Sequence, residues 1–167
     1  MALREMILQV FDQEMRGTRI VLERVPGDKP EFKPHDKSMP MGRLAVHIAR
    51  LPNLAATILR TPSLDLAGAQ WPALVFESRE RLLADFDGAA AEARALLAAA
   101  DDASLGQEWS MSFGDKPIGR GPRAVMYQTI FLNHLLHHRA QLGVYLRLND
   151  LPVPALYGPS ADDRLGF

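Results

Sequence analysis

His134 and His138 stand four residues apart in the run HLLHH. On a helix that interval puts both imidazoles on one face, at a separation that lets two ring nitrogens converge on a single ion. Paired histidines of zinc proteases use the same interval, but the intervening Glu that serves them as general base is missing here, so a protease of that type is not supported. The chain contains no cysteine, which removes thiolate sites and thiol nucleophiles and leaves any metal to nitrogen or oxygen ligands. A third ligand must then come from another helix. His47 is the best candidate, because it falls on the apolar stripe of an earlier helix, and facing helices of a bundle supply inward ligands of this kind. Three neutral imidazoles leave positions open to water or substrate, the arrangement of a catalytic site, whereas structural zinc is usually closed by four protein ligands.

Each of these histidines also has a plainer reading. A lone histidine on an apolar stripe is more often a hydrogen-bonded core residue than a ligand. His137 lies three residues from His134 and competes with His138. At about 100° per residue, Tyr127, Phe131, His134, His138, Gln141 and Tyr145 share one face and His137 falls to its side, which favours His138. His35 sits among Lys33, Pro34 and Asp36 in a loop, where a solvated role is expected. The sequence has no dinucleotide fingerprint, phosphate loop or nucleophile elbow. Trp71 and Trp109 read as core or pocket walls.

Helices must position these groups, and the periodicity predicts four. Residues 3–24 carry Leu3, Ile7, Leu8, Phe11 and Met15 at helical spacing with charged residues between them. The stretch VPGDKPEFKPHDKSMPMG then breaks helix repeatedly and reads as a long crossing loop, a length that is often functional. Its residues 26–42 are expected to line a substrate pocket. A second helix is predicted over 39–60, with Ser38 as N-cap, His47 on its stripe and a bend at Pro52. After the turn-rich TPSLDLAGAQWP, strong helix formers over 78–100 predict a third. WSMSFGDKPIGRGPR suggests a short hairpin. The fourth helix is predicted over 123–148, apolar around most of its circumference and therefore a surface for dimerisation.

With 167 residues the chain is long enough to bury one continuous core without staples, so a single domain over 1–167 is expected. Nineteen basic and 20 acidic residues nearly cancel and no basic block stands out, which argues against nucleic acid as a partner. The first residues mix charge into their apolar segment, unlike a signal peptide or membrane span, so a cytoplasmic location without membrane attachment is expected.

Three stretches, MGRLAVHIARL, NHLLHHRAQLGVYLRL and PVPALYGPSADD, resemble the signatures of the DinB/YfiT-like superfamily of bacterial metalloproteins, in the same order and over nearly the whole chain. The resemblance implies an all-α four-helix bundle with up-down-down-up connectivity, often dimeric, with a divalent ion, nickel or zinc, held by one histidine of the second helix and two of the last. These match His47, His134 and His138. Where the family commonly has HRGQ, this chain has Ala140 in place of the glycine, a small change that leaves the ligand set intact. The wider superfamily includes thiol-dependent transferases and isomerases in which the metal lowers the pKa of a low-molecular-weight thiol. The resemblance therefore implies a metal-dependent S-transferase in stress response or detoxification, acting on a small-molecule substrate with a thiol cosubstrate. A metal-dependent hydrolase and a non-catalytic metal-binding module are the alternatives.

Overall fold

A computed structural model describes residues 2–164. It is mainly helical, with a small mixed sheet. Helix α1 spans Leu3–Leu22, α2 Met41–Arg60, α3 Arg79–Ala99 and the short α4 Asp102–Gly106. Helix α5 covers residues 123–148 in three consecutive parts: α-helical Arg123–Met126, π-helical Tyr127–Leu132 and α-helical Asn133–Leu148. Strands β1 (Ser63–Asp65), β2 (Glu108–Phe113) and β3 (Lys116–Pro122) form one sheet in that order, β1 parallel and β3 antiparallel to β2.

Helix starts follow local chemistry. Ser78 accepts the backbone N–H of Arg81 to cap α3, and Asp101 accepts that of Ser104 to cap α4. The Asp102 carboxylate receives the backbone N–H groups of Leu3 and Arg4, both at 3.0 Å, so α4 adds an anion to the one Glu5 already places in the first turn of α1. Helix α2 begins one residue after Pro40, whose fixed φ suits a helix entry, and Ser38 is not its cap. The helix continues through Pro52, which is buried.

Packing joins α1 to α3, α3 to α2, α2 to α5 and α5 back to α1, closing a ring around one apolar core. Phe11, Leu44, Ile48, Phe86, Phe131 and Leu142 are buried in it. The predicted hairpin is present as β2–β3, turning at Asp115 next to Gly114 with φ 55°. Strand β1 was not anticipated. Its three residues are too few to show alternation, and it is held by pairing along β2, a contact between distant parts of the chain. Short α4 likewise replaces the simple end expected for α3 at Asp101 and Asp102. Among the described residues no helix is long and apolar enough to cross a membrane.

Candidate metal centre

His47 comes from the middle of α2 and His134 and His138 from the last part of α5, and the structure brings all three rings together. His134 Nε2 lies 3.2 Å from His47 Nε2 and 2.9 Å from His138 Nε2. Ligand nitrogens about 2 Å from one ion are themselves separated by roughly 3 Å, so the spacing is that of donors sharing a cation. All three rings are half-buried, and among the described residues they form a group that could hold a metal ion. His137 is exposed. Its ring stands edge-on to that of His138 at 4.9 Å between centroids, but it is not one of the converging donors. His35 is exposed in the loop, with Nδ1 accepting the N–H of Lys37.

The proton inventory at these rings is informative. His138 Nδ1 lies 2.8 Å from Gln141 Oε1, which fixes Nδ1 as the protonated nitrogen and leaves Nε2 a lone pair. The His134 ring, with Nε2 turned toward the other two, hydrogen-bonds the Ile130 backbone, a contact that favours its protonated form. By the same reasoning its free lone pair is on Nε2. Two lone pairs then face each other across 2.9 Å, an arrangement that a bound cation would stabilise. Burial is the main force keeping protons off the cluster. It pushes His47 down to about 4, with further depression from His138, His134 and the Arg43 guanidinium. His134 and His138 are also lowered, in each case by burial first. Neutral imidazole is the form that binds a metal, so the chemistry of the donor set fits one.

The π-helical turn corrects one expectation. A single helical face carrying Tyr127, Phe131 and the histidines assumes α spacing throughout, but residues 127–132 are wound more widely. Phe131 therefore packs against Phe11 of α1, at 6.3 Å between ring centroids, while His134 meets His47 of α2. On the far side of α5, buried Arg139 donates to the Glu14 carboxylate at 2.8 Å and to Thr18 Oγ1 at 3.2 Å. It also bonds Tyr157 of the C-terminal segment, whose hydroxyl donates to Glu14 Oε2. Sequence reasoning gave Arg139 no role; a cation in the middle of a largely apolar helix was the available signal.

A cleft of about 920 Å³ opens from His47 and His134. Its walls include Leu51 and Leu54 of α2, Leu64 of β1, Trp71, Met111 of β2 and Ile130 of α5. Met39, just before α2, meets Tyr145 near the end of α5, and His47 further along α2 meets His134 earlier in α5, so the two helices run antiparallel across the site. Residues 26–42, expected to line the pocket, do not line it. That loop packs toward the opposite end, where Phe32 meets Tyr145 edge-on and the Tyr145 hydroxyl donates to Met39 O. Residues 64–74 form the wall in its place, brought there by the β1–β2 pairing, which sets Leu64 beside Met111.

Comparison with known proteins bears on this geometry. The DinB family profile matches residues 2–164. A DinB-like protein from Bacillus cereus ATCC 10987 superposes with a TM-score of 0.68 at 22% identity, covering 90% of this chain and 95% of its own. A second DinB-like protein, from Bacillus subtilis, gives 0.67 at 19% identity, covering 88% and 95%. At these identities the likeness is one of fold. No curated protein matches the chain.

Proposed function

The chain belongs to the DinB family over residues 2–164, and on that footing we propose that it is a metal-dependent enzyme in which His47, His134 and His138 hold a divalent ion, nickel or zinc, for thiol-dependent S-transfer to a small electrophile. The observation that carries the reading is the convergence of three ring nitrogens, His134 Nε2 lying 2.9 Å from His138 Nε2 and 3.2 Å from His47 Nε2. Gln141 holds the His138 ring by its Nδ1–H, so the donor is oriented before anything binds. When bound, the ion would stabilise the thiolate of a low-molecular-weight cosubstrate at neutral pH. The chain has no cysteine, so that sulfur has to arrive with the cosubstrate. The two carboxylates on the cleft wall are both engaged with arginines, Asp85 with Arg81 and Arg50 and Glu92 with Arg60, which leaves neither free as a general base for hydrolysis.

For the architecture we infer the up-down-down-up four-helix bundle in a single domain. The closed ring of α1, α3, α2 and α5 and the long connections over 23–40 and 61–78 support it. A homodimer is supported by Val144 and Leu148, which are one turn apart on α5 and 57% and 55% exposed. The deciding experiment is metal analysis of protein purified without an affinity tag, followed by turnover of 1-chloro-2,4-dinitrobenzene with and without a low-molecular-weight thiol. Bound metal with thiol-dependent, chelator-sensitive turnover is the expected result. Turnover without thiol would replace this reading with hydrolysis, and protein that purifies and reconstitutes without metal would overturn it.

A further inference from the structure

The cleft itself carries information about what enters it. It is lined by the paired Leu64 and Met111 of the sheet, Ile130 of α5, Leu51 and Leu54 of α2, and Trp71. In this volume range a pocket encloses a ligand of drug-like size. The charged groups on its wall are already engaged within the protein. Arg50 donates to the backbone carbonyls of Pro72 and Ala73 and lies 4.0 Å from the Asp85 carboxylate, which Arg81 also holds at 2.7 Å. Glu92 is paired with Arg60. Asn53 and Gln70 are left, neutral amides without a hydrogen-bond partner among the described residues, which can meet a carbonyl or hydroxyl but offer no charge. In the metal-free cleft a charged ligand would have to shed its hydration and compete with these existing bonds for a partner, a cost an uncharged one avoids.

We propose that this cleft binds an uncharged, predominantly apolar small molecule, one end of which lies against His47 and His134 and the other under Trp71. The assignment of that molecule as the electrophile rests on the metal-centre reading above; its binding does not. Trp71 is 58% exposed and sits in a stretch without regular secondary structure, tied to α2 through the Arg50 bonds to its neighbours Pro72 and Ala73. It is the apolar surface that an occupant would cover.

The test uses the neutral fluorophore N-phenyl-1-naphthylamine on the full chain at pH 7.5, with chelator present so that no ligand head group can coordinate metal. The probe should saturate at one site per chain. Decan-1-ol should displace it at least about tenfold better than decanoate or decylammonium. Ile130→Trp, which adds bulk to the lining, and Trp71→Ala, at an exposed position where folding is not at risk, should each weaken the probe several-fold, while Val144→Asp on another surface of α5 should not. His138→Ala, a member of the histidine cluster that does not line the cleft, should retain probe binding even where it loses metal, so failure of the metal reading and failure of this one are separate results. Equal or better competition by the charged compounds would overturn the proposal. So would indifference to both cleft substitutions, or probe binding that appears only on dilution to monomer, which would show a second copy of the chain in the cleft.

Discussion

At the scale of single residues, the sharpest expectation concerns the neighbours His137 and His138. Only His138 turns a ring nitrogen toward His134, and His137 stands exposed beside it. His47→Ala, His134→Ala and His138→Ala should each lose most bound metal, because each removes a donor and the preformed geometry together. His137→Ala should keep it. Metal content per chain after identical purification checks all four, and the reverse order for His137 and His138 would refute the ligand set. The same rings set a pH dependence. His47 is held at about 4 in the folded metal-free protein, against about 6.5 for an unfolded histidine. Between those values the unfolded chain takes up the proton and the folded one does not, so stability falls as pH drops from about 6.5 toward 4 and is fully present above that window. His134 and His138, also lowered, act in the same direction. Urea midpoints of metal-free protein across this range should show the slope, and His47→Gln should flatten it.

At the scale of elements, periodicity was enough for the four long helices and the hairpin, because each is amphipathic or bounded by Gly and Pro over a sufficient length. The pair His134 and His138 was legible for the same reason, being four residues apart on one helix. That His47 should meet them is a tertiary fact, suggested by its stripe and by the family resemblance but not contained in local pattern. The cleft wall was misplaced because loops carry no period: 64–74 reaches the site through a three-residue strand, whereas the proline-rich 26–42 leads into α2 with Pro30 against Gly42 and Phe32 against Tyr145. Gly42 shows how tightly. A Cβ there would come within 2.8 Å of the Cβ atoms of both Phe76 and Pro30, neither of which is the free end of a flexible chain. Gly42→Ala should therefore destabilise the protein despite the roughly 1 kcal/mol that alanine gains in a helix, since overpacking costs typically about 1–3 kcal/mol. A lower urea midpoint at unchanged slope is the expected reading.

At the scale of the whole molecule, the apolar core is continuous from Phe11 to Leu146 and does not pass through the histidine cluster. Removing the metal should lower the melting temperature by mass action while leaving helical circular dichroism largely intact; complete loss of helicity would make the metal structural. The buried pair Glu14 and Arg139, with the exposed Tyr157 bonded to both, has a separate consequence, for the order in which the chain comes apart. Its bonds join residues 125 and 143 positions apart, so they tie the first helix, the last helix and the C-terminal segment at one point. Deleting one partner of such a pair strands a buried charge, at a cost of about 3–5 kcal/mol. Segments tied in this way open together, so in hydrogen exchange the amides of α1 and of the last part of α5 should share one opening free energy. In Glu14→Gln, α1 should exchange ahead of α2 and α3, and the chain would gain a partly open state in which its beginning and end have parted while its middle stays folded.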